Sequence, residues 1–301
     1  MGRGMYNASD WSRLKNSRSL DSSVSEKDVF LKSGMDDRFN PRFIKFREAR
    51  DSEDHPESTP IIIGLDVTGS MGYLAHKVAK ESLHETMMKL YSLKPVRDPA
   101  IMFAAYGDYM DGAPLQVTQF ESDIRIAEQL LDLWIENHGQ GEVVPNYLWH
   151  FAAQHTKTDN KEKRNKKGFL FTIGDGADCR MRSLDESFDR VFDEKGEGFV
   201  CGFDTEKAVK QALEDYELFH IFLVSNGQKA SSIVKLLPGR TLAISPEEID
   251  ALPEIIISTM QLVEGMSRKD AVTQWPELRR PVVENAIKDI NLNIRKKGLF
   301  F

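Results

Sequence analysis

One segment constrains the fold of this 301-residue chain more than any other. An apolar run at 61–65, rich in β-branched residues, stops at Asp66 and is followed by two hydroxyl residues, Thr68 and Ser70. β-branched residues favour extended backbone, so the run predicts a strand that delivers Asp66 to the carboxyl edge of a sheet. Alternate residues of an extended loop share a face, so the three polar side chains are expected to point the same way. Carboxylate and hydroxyl oxygens suit Mg²⁺ or another hard divalent ion.

A second apolar run, 168–174, is followed directly by Asp175. The carboxyl ends of parallel strands meet at one edge of a sheet, and ligands bind there where the strand order reverses. We therefore expect Asp66 and Asp175 to flank that point.

From about residue 59 the chain alternates between predicted strands and helices. Strands are predicted at 61–65, 100–106, 115–120, 169–173, 218–224 and 241–244. Helices are predicted at 71–91, 124–135, 146–155, 231–237 and 246–263. This alternation predicts an α/β fold with a doubly wound, mainly parallel, Rossmann-like sheet and helices on both faces.

The segment Asp66–Met71 resembles the metal-ion-dependent adhesion site of von Willebrand factor A domains. The pattern there is Asp-x-Ser/Thr-x-Ser, commonly followed by Met. The resemblance covers roughly Pro60 to Val263 and implies a bound divalent cation, Mg²⁺ with Mn²⁺ or Ca²⁺ as alternatives. It also implies that an acidic residue of a partner protein completes the coordination of the ion.

The same resemblance assigns the remaining metal ligands. Asp175 stands where the family has its last metal-site aspartate, and it is expected to act directly or through water. The family has a Thr or Asp in a glycine-rich loop before a helix, but the corresponding stretch here, 139–145, contains no threonine. Glu142 is the candidate in its place. The predicted metal set is therefore Asp66, Thr68, Ser70, Glu142 and Asp175.

The chain divides into three predicted parts. Residues 1–58 form a polar, basic N-terminal extension whose aromatic residues suggest packing on the domain, or alternatively docking to another subunit. Residues 59–263 form the von Willebrand A domain, with an insertion at about 177–217 that is either a lid beside the metal or a decoration of the sheet edge. Residues 264–301 form a basic helical tail.

Composition excludes some classes of protein. No apolar run approaches the ~20 residues that cross a bilayer, and the N-terminus lacks the apolar core of a signal peptide, so a cytosolic protein is expected. The two cysteines are too few for a disulfide framework. The basic cluster at 157–167 is interrupted by acids and is expected to be a solvated loop, so nucleic-acid binding is not expected.

An enzymatic alternative also fits part of the pattern. The segments 66–70 and 174–178 resemble the phosphorylation and Mg²⁺-binding loops of the haloacid-dehalogenase superfamily. In that interpretation Asp66 is the phosphoryl-accepting nucleophile, Asp175 holds Mg²⁺ and Lys167 neutralises the phosphate. However, soluble relatives usually carry a second aspartate, the general acid, where Thr68 stands.

The favoured interpretation is therefore a binding module and not an enzyme. Its predicted cytosolic setting resembles that of bacterial and phage von Willebrand A proteins that work beside AAA+ ATPases of the MoxR type. An adaptor that presents its metal site to such a partner is the expected function.

Overall fold

A central sheet organises the chain. The computed structural model describes residues 4–20, 26–69, 71–136, 139, 142–176, 185–193, 204–224 and 231–292. Within these ranges the strands are β1 (Arg47–Ala49), β2 (Thr59–Asp66), β3 (Pro99–Tyr106), β4 (Leu115–Val117), β5 (Thr156–Thr158), β6 (Gly168–Gly174), β7 (Tyr216–Leu223) and β8 (Thr241–Ile244). The central sheet has six strands in the order β4-β3-β2-β6-β7-β8, and β1 pairs with β5 separately.

The strand order reverses between β2 and β6. From β2 the chain runs outward to β3 and β4, then returns to β6 on the other side of β2 and continues to β7 and β8. Neighbouring strands are parallel except β4, which is antiparallel to β3. The predicted doubly wound, mainly parallel, Rossmann-like α/β fold is confirmed.

Helices cover both faces of the sheet. In the described ranges they are α1 (Ala8–Ser17), α2 (Glu26–Val29), α3 (Gly72–Lys77), α4 (Leu83–Leu93), α5 (Arg125–Leu131), α6 (Pro145–Gln154), α7 (Asp159–Arg164), α8 (Asp185–Phe192), α9 (Thr205–Asp215), α10 (Ser231–Leu236), α11 (Leu252–Val263), α12 (Arg268–Thr273) and α13 (Arg280–Ile287). A π-helical turn, Val78–Ser82, joins α3 to α4, so the helix predicted after the Asp66 loop is continuous. Short 3₁₀ helices lie at Pro41–Phe43 and Pro246–Ala251.

Two hydrophobic cores lie on opposite faces of the sheet. In β2, Ile61, Ile63 and Leu65 pack into the core that contains α4 and α11, whereas Ile62 packs into the core that contains α6 and α9. Because both faces of the strand are covered, its sequence is an unbroken apolar run and not an alternating one.

The described part of the N-terminal extension packs on the domain. Trp11 and Leu14 of α1 are buried in the core that contains α4. The Trp11 ring stacks on His84 of α4 with the ring centroids 5.5 Å apart, and Tyr6 Oη lies 3.2 Å from His84 Nδ1. Tyr6 and Trp11 therefore serve packing on the domain, whereas Phe43 is 63% exposed, and docking of the arm to another subunit stays a prediction.

The long connection from β6 to β7 contains two helices, α8 and α9. Helix α9 packs against α6 and β7, as a crossover helix between parallel strands does. Helix α9 thus connects two parallel strands of the sheet, and the insertion at about 177–217 stays a prediction. Residues 177–184 and 194–203, including both cysteines, lie outside the described residues.

The basic cluster at 157–167 is not a loop. Its middle forms α7, whose first turn is capped by the Thr158 side chain. Lys163 and Arg164 bond Asp51 at 3.2 and 2.8 Å, and Lys161 pairs with Asp215 at 3.0 Å. The loop prediction was wrong because the helix is stabilised by its cap and ion pairs and has no apolar periodicity to reveal it.

The C-terminal tail is helical where it is described. Helices α12 and α13 pack against α11, and Trp275 Nε1 donates a hydrogen bond of 2.8 Å to Ser258 Oγ of α11. Throughout the described part of the chain, no helix has both the length and the apolar character needed to cross a membrane.

Candidate metal centre

Two aspartates lie at the carboxyl edge of the sheet, at the point where the strand order reverses. Asp66 is the last residue of β2, and Asp175 follows β6 directly. The two strands are neighbours, with Leu65 opposite Ile173. Asp66 and Asp175 therefore leave the sheet side by side where the strand order reverses, as the sequence predicts.

The Asp66 carboxylate is buried, and its two oxygens have different surroundings among the described residues. The residue has no exposed surface. Oδ1 accepts hydrogen bonds from the Thr68 backbone N–H at 3.0 Å and from Thr68 Oγ1 at 2.7 Å. Oδ2 has no hydrogen-bond partner among the described residues. Buried polar atoms are usually paired, so this oxygen would be satisfied by a bound ion or by a group outside the described residues.

The raised pKa of the Asp66 carboxyl also favours a cation at this site. The pKa of its carboxyl is raised to about 7, chiefly by burial and also by the charges of Asp175 and Asp111, against the two hydrogen bonds from Thr68 that act to lower it. Burial and the neighbouring carboxylates thus make the ionised form of Asp66 costly, and a cation beside it would offset that cost.

Two further acidic residues lie in the loop after β3, and both are more buried than an ordinary turn would make them. Asp108 is 1% exposed and Asp111 is 7% exposed. Asp111 Oδ2 accepts from the Asp108 backbone N–H at 2.8 Å, and Asp108 Oδ1 accepts from the Met110 N–H at 2.8 Å. The carboxylates of Asp108 and Asp111 therefore build this loop by bonding its backbone.

Gly139 of the glycine-rich loop lies beside the loop that follows Asp66. A Cβ on Gly139, which has a φ of +131°, would lie 3.1 Å from Thr68 Cβ and 3.9 Å from Asp108 Cβ. This close approach explains why glycine is needed there. The loop is also joined to the Asp108 loop, because the Tyr109 N–H donates to the Glu142 carbonyl at 3.2 Å.

The predicted ligands are brought together in part. Asp66 and Thr68 are in direct contact, and Asp175 lies half-buried beside them. Ser70 lies outside the described residues. Glu142 is exposed and contributes its backbone carbonyl to the loop pairing, so its role as a metal ligand stays a prediction.

Helix α8 holds the Asp108 loop in place. Arg190 Nη2 donates to the carbonyls of Tyr109 and Asp111 at 2.8 and 2.9 Å, and Ser187 Oγ donates to the Tyr109 carbonyl at 2.9 Å. Through these bonds α8 fixes the loop after β3, which borders the candidate metal centre.

Tyr106 forms the floor of the site. Its ring crosses β2 over Gly64, where a Cβ would lie 3.4 Å from Tyr106 Cδ1, and its hydroxyl donates to the Ile173 carbonyl of β6 at 2.8 Å. A Cβ on Gly174 would lie 2.9 Å from this hydroxyl and 2.7 Å from Asp66 Oδ2. The tyrosine hydroxyl and the unpaired carboxylate oxygen therefore line the same space.

Replacing Tyr106 by Phe is expected to lower Mg²⁺ affinity about tenfold, because the hydroxyl fixes the end of β6 that leads to Asp175. Stability should fall by about 1 kcal/mol through the lost hydrogen bond. Titration calorimetry and urea unfolding measure the two effects. The matched control is Tyr91→Phe, which removes a hydrogen bond of 2.6 Å to the Ser122 carbonyl away from the site. Equal Mg²⁺ affinity in the two variants would show that Tyr106 is structural only.

The residues present fit a hard cation. The Thr68 hydroxyl uses its proton on Asp66 and keeps its lone pairs, and the unpaired carboxylate oxygen lies on the same residue, Asp66. In the described part of the chain, no three His, Cys, Asp or Glu side chains converge closely enough to hold an ion. Among the described residues, a metal set at this place would combine the Asp66 carboxylate with the Thr68 hydroxyl.

The lysine of the enzymatic alternative lies at the wrong end of the sheet. Lys167 precedes the first residue of β6, whereas Asp175 follows the last, and a strand of seven residues spans on the order of 23 Å. Lys167 Nζ donates to the Leu213 carbonyl and lies 3.9 Å from Glu217. Lys167 is therefore not placed to neutralise a phosphate on Asp66, as the enzymatic alternative would require of a lysine.

Comparison with known proteins gives a likeness in structure only. The sequence matches no protein-family model and no curated protein. Among solved structures, proximal thread matrix protein 1 from the mussel byssus is similar, with a TM-score of 0.44 and 13% identity over 68% of this chain and 48% of that protein. The pilus adhesin SpaC from Lactobacillus rhamnosus GG has a TM-score of 0.44 and 11% identity over 67% of this chain and 30% of its own.

A von Willebrand factor type A structure from Catenulispora acidiphila is also similar, with a TM-score of 0.36 and 14% identity over 68% of this chain and 43% of that chain. Another structure of the mussel protein has a zinc-occupied MIDAS motif. This chain spans less than half the length of each neighbour. At such low identity and TM-score, what a neighbour binds does not transfer to this chain.

Proposed function

We propose that this chain is a divalent-cation-dependent protein-binding module of the von Willebrand A type and not an enzyme. The observation that supports this most is the buried Asp66 Oδ2, which has no hydrogen-bond partner among the described residues. Asp66, Thr68 and Ser70 would hold the ion, with Asp175 acting directly or through water. Mg²⁺ is the proposed ion because the ligands are hard oxygens, with Mn²⁺ and Ca²⁺ as alternatives.

The proposed ligand is an acidic side chain of a partner protein. A bound divalent ion would make the crevice locally positive and attract a carboxylate, although the surrounding residues are acidic. We propose an AAA+ ATPase of the MoxR type as the class of partner, and with it a cytosolic location. Nucleic acid is not proposed, because Lys161, Lys163 and Arg164 pair with acidic residues of the chain itself.

Capture of the partner is expected to require the metal. In pull-downs from the native host, wild-type protein should retain one partner in Mg²⁺ and lose it in EDTA. A Thr68→Val bait should lose it in both buffers, because the hydroxyl is a proposed ligand. The control bait is Thr259→Val, which removes a buried hydroxyl that bonds the Ile255 carbonyl within α11. Mass spectrometry of the retained proteins gives the readout.

A partner retained equally in Mg²⁺ and in EDTA would contradict the proposal. The interaction site would then lie away from the crevice, and the N-terminal extension would be the next candidate.

A further inference from the structure

A groove lies between the N-terminal extension and the domain, beside the edge strand β4. It has a volume of about 610 Å³ and is lined by residues within 37–47 and 119–132, all of which are described. The extension is attached here, because the Val117 N–H of β4 donates to the Phe39 carbonyl at 2.9 Å. None of the predicted metal ligands lines this groove, which we call the arm groove.

The arm groove has an aromatic side chain that is left in water. Phe43 lines the groove and is 63% exposed, whereas Phe39 and Ile44, which also line it, are buried. One exposed apolar side chain is ordinary on a protein surface. The exposure of Phe43 therefore gains meaning only from what lies beside it in the same groove.

Arg47 lines the arm groove and has no acidic partner among the described residues. Its Nη2 donates to the carbonyls of Arg38 and Val117, the latter at 3.0 Å. Its Nε is buried without a hydrogen-bond partner in the described part of the chain. Burial lowers the pKa of Arg47 to about 10, so the guanidinium remains protonated at neutral pH. A largely desolvated charge is usually paired, and this one has only neutral carbonyls.

The other charged residues of the groove do not supply that partner. Arg38 bonds Asp36 and Arg125 bonds Glu121, each at 2.8 Å, so both of these cations are already paired. The acidic residues that line the groove are Asp37, Glu128 and Asp132. Arg47 forms an ion pair with none of them, and burial is the cause of its pKa shift. Since the groove contains both signs of charge, it favours a single carboxylate placed on Arg47 over a polyanion.

The two features lie close enough for one ligand to reach both. Phe43 and Arg47 are four residues apart, so their Cα atoms are separated by at most about 14 Å. A small anion could pair with Arg47, but it would leave Phe43 in water. A peptide segment can place a carboxylate on Arg47 and an apolar side chain over Phe43 together.

We propose that the arm groove docks a segment of a partner protein in which one carboxylate pairs with Arg47 and an apolar side chain, within four residues of it, covers Phe43. This docking needs no metal ion. It gives the chain a second interaction surface, separate from the candidate metal centre.

Synthetic peptides test the proposal on the whole 301-residue chain. The base peptide is a fluorescently labelled Gly-Ser nonapeptide with one central Glu. A second set adds one Phe at each of the other eight positions, and a third set repeats the second with Gln in place of Glu. Fluorescence anisotropy gives the affinities for wild type, Phe43→Ser and Arg47→Gln. The matched control is Leu278→Ser, which removes an apolar side chain that is 91% exposed and does not line the groove.

The best Phe peptide is expected to bind wild type roughly tenfold more tightly than the base peptide, as burial of one apolar side chain gives. Phe43→Ser should lose this gain, and Leu278→Ser should keep it. Replacing Glu by Gln in the peptide should weaken binding to wild type about tenfold, as loss of a charged hydrogen bond does. The same replacement should have no further effect on Arg47→Gln, because the two groups act as a pair. All affinities should be equal in Mg²⁺ and in EDTA.

Other results would overturn the proposal. Equal binding of the Phe and base peptides would make the groove a site for small anions, and equal binding of the Glu and Gln peptides would remove the role of Arg47. Absence of binding by every peptide would also contradict it. In that case, self-association that Phe43→Ser abolishes in sedimentation would assign the groove to a second copy of the chain. A lower urea midpoint for Phe43→Ser would instead show that the chain itself covers Phe43. If Arg47→Gln does not fold, the Glu and Gln peptides on wild type still decide whether a carboxylate is needed.

Discussion

Asp66→Asn is expected to be more stable than wild type in EDTA at pH 8 and less stable than wild type in saturating Mg²⁺. Without an ion, the wild-type protein has to keep an ionised carboxylate in a buried site, and Asn removes that charge at nearly constant shape. With an ion, the wild type gains the free energy of metal binding, which Asn cannot match. Thermal unfolding of both proteins in the two buffers should therefore show an inverted order of midpoints.

The pH dependence has a definite sign. The pKa of Asp66 is about 7 in the folded protein, above its ordinary value of 3.8. The folded state therefore binds more protons than the unfolded state between these values, and in EDTA the wild type loses stability as pH rises through this window. Each pKa unit corresponds to about 1.4 kcal/mol. Asp66→Asn should lack this loss, and Mg²⁺ affinity of the wild type should weaken below pH 7 because protons compete.

Asp159 provides a control because its pKa is shifted in the opposite direction, so that its effect on stability has the opposite pH dependence. It is 5% exposed, and although burial acts to raise its pKa, bonds from Lys163, the Asp51 N–H and Arg50 lower that pKa to about 2. Its contribution to stability is present above its ordinary pKa and is lost as pH falls through 2. Asp159→Asn should therefore be destabilised at neutral pH in both buffers. Identical unfolding midpoints for Asp66→Asn and wild type in EDTA from pH 5 to pH 8 would contradict the electrostatic account of the site.

The positions of the two aspartates at strand ends could be predicted from the sequence. Asp66 and Asp175 each end a long apolar run, and such runs are fixed as strands by burial on both faces. Once the runs are placed in a doubly wound sheet, the topology brings their ends together without any knowledge of side-chain contacts. This is why the two aspartates could be placed at one edge of the sheet.

The part that depends on loop conformation could not be predicted in the same way. The segment 108–112 is an ordinary polar turn by composition, and nothing in it reveals that Asp108 and Asp111 turn inward to bond backbone N–H groups. Glu142 was selected because a ligand was missing from the glycine-rich loop, but that loop is fixed by pairing of its backbone with Tyr109. Loop side chains follow such local hydrogen bonds, which have no periodic sequence signal.

The short polar elements β1, β5 and α7 could not be predicted from the sequence for a related reason. β1 and β5 each have three residues and form their own two-stranded sheet. Helix α7 consists of polar residues and depends on ion pairs to Asp51 and Asp215 that are distant in sequence. Apolar periodicity cannot detect elements that are stabilised in this way.

Gly174→Ala is expected to abolish Mg²⁺ binding and to destabilise the protein by about 3 kcal/mol, at the upper end of ordinary overpacking. The new Cβ would lie 2.8 Å from Asp66 Cβ, 2.7 Å from Asp66 Oδ2 and 2.9 Å from Tyr106 Oη. Asp66 Cβ belongs to a central strand and cannot move away as the tip of a flexible side chain would. The carboxylate has to rotate or β2 and β6 have to separate, and either change removes the proposed coordination.

Gly176→Ala is the matched control two residues further along the same chain segment. Among the described residues, its Cβ would meet Val143 Cβ at 3.5 Å, an ordinary van der Waals contact, so Mg²⁺ affinity and the urea midpoint should remain close to those of the wild type. Titration calorimetry and urea unfolding on both variants separate two roles of Gly174. A Gly174→Ala protein that is destabilised but binds Mg²⁺ normally would show that the close approach of β6 to Asp66 serves packing alone. Normal binding together with normal stability would place the metal away from the ends of β2 and β6.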